Sequence, residues 1–309
     1  MLNRVSTSLS SVALCFSLLV ATPSASAFTL SEGKGRFWYS LPSSDQRLEV
    51  YTYLPDNVDS ASPIVMVMTG SSRNAVLNRD IWATKADEYG FIIVVPHFDK
   101  EDYPGARSYN RGNLVDRKTQ RLNPPEEWSY SVIEPLFEEV AETLGSTREE
   151  YYLFGHSAGC QVAHRLLTFD ITNKVEALVC SAPGVWTFPD DDMPWHFGLK
   201  DDPLDVETAD LADYFAMPVL IMVGENDDNP NHSKLANSSR AMALGANRVE
   251  RAVNYFETAE EQAHRLDVPF HWNFYLVPDV NHSTRKTAEF AAGQIARFER
   301  GEGFVDMEP

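Results

Sequence analysis

The spacing of apolar and polar residues along the chain predicts strands alternating with helices. Residues 36–40 and 47–54 alternate apolar with polar side chains, the period of a sheet buried on one face, and read as an antiparallel pair. Later runs do not alternate. Residues 63–68, 91–96, 151–154, 175–180, 218–223 and 271–277 are apolar almost throughout, as strands covered on both faces must be. Helical spacing fills the intervals: residues 81–89, then a helix with Ile133, Phe137, Val140 and Leu144 on its inner face. Further helical stretches run from Cys160 to Leu167, over much of 233–266, and over 284–298. The prediction is an α/β fold with about eight strands in a mostly parallel sheet and helices on both faces. Residues 99–127 read as a polar loop, and residues 183–216 as an irregular stretch able to form a small cap over a site.

One turn in this pattern carries chemistry. Gly155-His156-Ser157-Ala158-Gly159 is G-x-S-x-G, set between the apolar strand Tyr151-Tyr152-Leu153-Phe154 and a helical run. A serine on a strand-to-helix turn is pushed outward at the top of the sheet. The flanking glycines are needed because a side chain there would meet the neighbouring strand or helix. Such a nucleophile needs a base, and the base needs a carboxylate to orient it. On this scaffold they follow in the order Ser, acid, His, each on a loop after a strand.

After the run ending at Val223 comes Gly224-Glu225-Asn226-Asp227-Asp228. Asp227 is the preferred acid, three residues past the glycine. Glu225 and Asp228 are the alternatives. After the last strand comes Pro278-Asp279-Val280-Asn281-His282, which makes His282 the base. His232 is too near the acid in sequence, His264 sits in a helical pattern, and His271 opens the last strand at the wrong end. His156 points away from the serine's side and is expected to be a packing residue or one that supports the catalytic residues from behind. The oxyanion of an acyl-transfer intermediate needs two preorganised N–H donors. One is the amide of Ala158, and the other is assigned to Ser71 in the Thr69–Asn74 loop, with Ser72 as the alternative.

Composition adds compartment and excludes partners. The chain has 309 residues, 26 basic against 45 acidic, and a formal net charge of −19. Such a surface repels nucleic acid and anionic membranes. Residues 1–27 have a positive start at Arg4, a short apolar run 12–20 and an Ala25-Ser26-Ala27 cleavage site, the form of a signal peptide. The catalytic domain is then expected over 28–309, exported and not inserted in a membrane. Cys160 and Cys180 are expected to be buried free thiols, although export permits a disulfide. The acidic groups Asp190-Asp191-Asp192 and Asp201-Asp202 lack the spacing of a calcium loop and read as solvated. No metal and no cofactor is expected.

The elbow, the Thr69–Asn74 loop, Pro183-Gly184-Val185-Trp186-Thr187, residues 224–232 and Asn281-His282-Ser283 together resemble the α/β-hydrolase superfamily. The likeness is nearest to the secreted bacterial esterases grouped with polyhydroxybutyrate depolymerases and feruloyl esterases. The first stretch departs from that group, with Thr69 where His often stands. The resemblance implies carboxylic-ester hydrolysis, by a small-ester enzyme or by a depolymerase of an extracellular polyester or polysaccharide ester. The rival from another class is a catalytically silent binding protein. Trp186, just after a strand end, is expected to line the substrate pocket. Trp195, Trp128 and Tyr109 are placed as loop residues with the same opportunity.

Overall fold

The computed structural model describes residues 28–41, 46–169 and 174–305; the expected signal peptide lies outside them. Eight strands form one sheet in the order β1-β2-β4-β3-β5-β6-β7-β8. The strands are β1 (Gly33–Ser40), β2 (Arg47–Leu54), β3 (Ile64–Met68), β4 (Ile92–His97), β5 (Tyr151–His156), β6 (Val175–Ser181), β7 (Val219–Gly224) and β8 (Trp272–Val277). The first pairings, β1 with β2 and β2 with β4, are antiparallel; β4, β3, β5, β6, β7 and β8 then pair in parallel.

The burial of each strand follows its sequence. β3 and β7 are buried at every position, while β2 alternates. Helices supply the cover on both faces: α1 (Ala75–Tyr89), α2 (Ile133–Leu144), α3 (Ala158–Thr168), α4 (Ala212–Ala216), α5 (Ser239–Ala243), α6 (Arg248–Leu266) and α7 (Thr284–Glu299). The sheet divides the apolar interior into two clusters, with Met66, Leu153 and Ile221 facing one and Val67, Phe154 and Met222 facing the other.

Two features depart from expectation. α1 starts at Ala75, several residues before the apolar pattern declares itself, because the Asn74 side chain accepts from the Leu77 N–H and caps it. The 233–266 stretch is two helices, with a break at 244–247. The segment after β6 is irregular until α4 but well packed: Trp186 and Phe188 are buried against Tyr255 of α6.

Cys160 and Cys180 form a disulfide, not the free thiols expected from their apolar surroundings. Parallel pairing sets β6 beside β5, and α3 leaves the end of β5, so two cysteines 20 residues apart meet in the interior. The bond ties the start of α3 to the sheet. Replacing both cysteines with alanine is expected to lower unfolding free energy by about 2–4 kcal/mol, read from the denaturant midpoint; an unchanged midpoint would mean the bond adds nothing to the fold.

Candidate active site

The turn from β5 into α3 leaves Ser157 at φ 57° and ψ −115°, a conformation that L-residues avoid. Two glycines make it possible. A Cβ on Gly155 would lie 2.5 Å from the Cys160 nitrogen, and one on Gly159 would lie 2.0 Å from the Met68 carbonyl oxygen. The Ser157 N–H donates to Ser181 O of β6 at 2.8 Å, which fixes the turn between two neighbouring strands.

The loops after β7 and β8 meet at this turn and are stitched to each other. Asn226 N–H donates to Val280 O at 2.8 Å, and a Cβ on Gly224 would lie 2.2 Å from the same oxygen. Asp279 takes a left-handed φ of 56°, which turns the chain after β8 back towards the serine. Ser283 caps α7 by accepting from Lys286 N–H and holds His282 immediately before the helix.

Ser157, His282 and Asp227 are brought into one line. His282 Nδ1–H donates to Asp227 Oδ2 at 2.6 Å, since a carboxylate can only accept. Its Nε2 is then the acceptor for the Ser157 hydroxyl, at 3.2 Å. This arrangement can draw the proton from the serine as its oxygen attacks a carbonyl. Asp227 is buried, while Glu225 and Asp228 are exposed, and Glu225 Oε2 instead accepts from Asp279 N–H at 3.2 Å.

Sequence reasoning missed a cation beside the acid. Arg248 is buried, and its Nη1 donates to the second Asp227 oxygen at 2.9 Å. Asp227 is thus held from both sides, one oxygen for each partner. A signal was present: Arg248 opens α6 directly after the Asn247 cap, where the helix dipole favours acids and disfavours bases. A basic residue there breaks a local rule and marks a tertiary demand.

Two further histidines surround His282. His156 packs against the His282 ring at 4.7 Å between centroids, a supporting contact of the kind expected for it. Its Nδ1 meets Ser181 Oγ at 3.2 Å, and burial first, then His282 and Arg248, hold it well below the usual histidine range, so it stays neutral. His232 stands edge-on to His282 at 5.4 Å and is lowered by desolvation and then by Arg248. The ordered sequence distance between His232 and the acid gave no hint of this contact.

The loop after β3 lies beside the elbow. A Cβ on Gly70 would be 3.8 Å from Ser157 Cβ, which brings the chain entering Ser71 next to the nucleophile position. Its shape is imposed from outside. The Tyr109 hydroxyl donates to Thr69 O at 2.6 Å. Arg73 takes a φ of 59°, stacks on the Tyr109 ring at 3.6 Å and donates to Phe98 O at 2.8 Å. Ala158 is the first residue of α3, so its amide belongs to the unpaired N–H groups at a helix N-terminus, a favourable place for negative charge.

Trp186 does not line an open pocket. It is fully buried and stacked on Tyr255 at 4.1 Å, because the irregular segment carrying it folds inward onto α3 and α6. Tyr109 is also buried and Trp128 donates to Asn123 O at 2.8 Å, whereas Trp195 is partly open and borders a cavity.

The acidic groups do not form a cation cage but brace their own loops. Asp190 and Asp202 accept backbone N–H bonds, and Asp191 accepts both the N–H and the hydroxyl of Thr208. Among the described residues, Cys160, His164 and Cys180 lie close enough to share a metal ion. They do not fit one, because the sulfurs are bonded to each other. His164 Nδ1–H donates to Cys160 O at 2.7 Å, and its Nε2 accepts from Thr187 N–H at 3.1 Å.

Solved structures similar to this chain share its fold. A poly(aspartic acid) hydrolase-1 from Sphingomonas sp. KT-1 is 32% identical, with a TM-score of 0.81 over 85% of this chain and 98% of that one. The chain belongs to the α/β-hydrolase superfamily. It stands among the serine hydrolases there, beside the bacterial depolymerase and esterase group that its motifs resemble. A poly(3-hydroxybutyrate) depolymerase from Bordetella parapertussis is 27% identical, with a TM-score of 0.77 over 89% of this hydrolase and 93% of its own chain. An S-formylglutathione hydrolase from Agrobacterium tumefaciens, 17% identical with a TM-score of 0.57 over 89% and 98%, shares the fold. No protein-family model matches the chain, and no curated protein sequence does.

Removing Arg248 tests whether it positions the acid. Arg248→Met frees one Asp227 oxygen, and the tilt this allows in His282 is expected to lower kcat/KM by about 100-fold. The lost charge should also let the His232 imidazole titrate at higher pH, read by NMR. A variant with parental kcat/KM and an unmoved His232 titration would leave Arg248 no role beyond filling space.

Proposed function

We propose that this hydrolase is an exported serine esterase that cleaves carboxylic esters through Ser157, His282 and Asp227. The observation that carries the reading is the hydrogen-bonded line from Ser157 Oγ through His282 to Asp227, held on three loops at one end of the sheet. In the proposed cycle His282 Nε2 takes the serine proton as Oγ bonds to the ester carbonyl carbon. The carbonyl π electrons move to oxygen, and the amides of Ser71 and Ala158 receive that oxyanion. As the intermediate collapses, the carbon–alkoxy bond breaks and His282 returns the proton to the leaving alcohol. A water molecule, deprotonated by His282, then attacks the acyl-enzyme and releases the acid and free Ser157.

Export rests on the form of residues 1–27 and is supported by the Cys160–Cys180 disulfide, since such bonds persist in oxidising compartments. A silent binding role has less support, because a scaffold freed from catalysis has no need to hold Ser157 in a strained turn against His282. A polymer substrate is the second reading. It is favoured by the names of the two similar hydrolases above, one of poly(aspartic acid) and one of poly(3-hydroxybutyrate).

The mature protein is expected to hydrolyse p-nitrophenyl esters, and Ser157→Ala to lose at least about 1,000-fold in kcat. The acyl-chain profile from acetate to long chains separates a small-ester enzyme from a lipase-like one. Undiminished hydrolysis by Ser157→Ala would overturn the assignment.

A further inference from the structure

In a chain with a net charge of −19, unpaired cations gathered at a cavity call for a reason. A cavity of about 370 Å³ is bordered by Arg107, Arg111, His196, Trp195 and Leu122, with Asp201 on its wall. Among the described residues, Arg107, Arg111 and the neighbouring Arg165 have no carboxylate within ion-pair distance. Their bonds are to neutral groups. Arg107 Nη1 donates to Val115 O at 2.9 Å, and Arg111 Nη1 to His196 Nδ1 at 3.2 Å. Arg165, fully buried, donates to Thr187 Oγ1 and Asn110 O, each at 2.8 Å. The Arg111 Nε is buried with no partner. Desolvation and then the surrounding arginines push His196 down to about 3, so it is neutral and accepts from Arg111 without cancelling or adding charge. The wall therefore carries two guanidinium charges against the single carboxylate of Asp201.

This cavity is joined to the candidate active site by one short piece of chain. Tyr109 holds the loop beside Ser157 through Thr69 O. Asn110 Nδ2 donates to Gln161 Oε1 at 3.1 Å, and Gln161 lies one turn along α3 from Ser157, its N–H donating to Ser157 O at 3.2 Å. Arg111 is the next residue. Tyr109, Asn110 and Arg111 therefore lead, as three consecutive residues, from the loop beside Ser157 to the cavity wall.

We propose that this cavity is a subsite for the carboxylate groups of an anionic, chain-like substrate. The inference rests on the reading of Ser157 as nucleophile. The guanidinium groups suit carboxylates, which they can bind with paired N–H donors, and a ligand charge would supply the counter-ion the protein withholds. Trp195 and Leu122 offer apolar surface to the methylene backbone between charges.

Binding is tested in the Ser157→Ala protein, so that turnover plays no part, with fluorescein-labelled tetraglutamate against tetraglutamine by fluorescence anisotropy. Tetraglutamate is expected to bind at least about tenfold tighter at low salt, with the preference shrinking as salt rises. Arg111→Gln should remove most of the preference, and Arg111→Lys, which keeps the charge but not the paired donors, should retain part of it. The pair keeps the test independent of any general loss of packing. Equal affinity for the two peptides, or a preference that survives Arg107→Gln with Arg111→Gln in a protein whose unfolding midpoint is unchanged, would overturn the subsite. An inactive enzyme on p-nitrophenyl esters would count against the esterase reading, while peptide discrimination would still report on the cavity.

Discussion

The structure depends on a close approach that only glycine allows. α3 must begin almost in contact with β3 and β5, and the room comes from the missing Cβ atoms of Gly155 and Gly159. With α3 that near, the chain reverses within one residue, and Ser157 absorbs the strain in its positive φ. Everything else at the candidate site is placed relative to that turn. The loop after β3 passes beside it, Ser181 of β6 takes its N–H, and the Cys160–Cys180 bond fastens the first turn of α3 to the sheet. Strain of this kind persists only when neighbours over-determine it, and here strands, helix and disulfide all do.

Buried arginines do for the upper loops what ladder hydrogen bonds do for the sheet. Those loops are irregular, and their carbonyl oxygens need donors away from water. Arg73 supplies Phe98 and Gly105, Arg165 supplies Asn110 and Gln161, and Arg251 supplies Gly184, Ala236 and Gly245. A guanidinium group can serve several oxygens at fixed angles, and burial weakens but does not remove its charge: Arg165 and Arg251 are each pushed down to about 10 and stay protonated at neutral pH. Arg248 is the exception, with a full carboxylate partner in Asp227. The outcome is an acidic protein that nevertheless buries four arginines, Arg73, Arg165, Arg248 and Arg251, among its described residues.

Much of this was legible in the sequence, and what was not has physical reasons. The strand runs were plain because parallel strands covered on both faces must be apolar throughout, and the elbow was plain because its glycines answer a steric demand. The line from Ser157 to Asp227 followed from chain order on such a sheet. Pairing of Cys160 with Cys180 was not legible, since an apolar setting suits a free thiol and a disulfide alike. Trp186 was misjudged because a strand end says where a residue starts, not which way an irregular segment then folds. Arg73, Arg165 and Arg248 are tertiary ties, reaching Phe98, Asn110 and Asp227 across 25, 55 and 21 residues, and no local pattern encodes a partner. Only the misfit of a base at the start of α6 hinted at one.

The proposed chemistry turns on Ser157 being a nucleophile activated by His282. The most direct test is covalent labelling of the native protein with diisopropyl fluorophosphate, with the modified residue located by peptide mass spectrometry. One phosphorylated serine is expected, Ser157, with labelling that slows by orders of magnitude in His282→Ala. A native protein that takes up no label, or takes it equally well without His282, would contradict that chemistry.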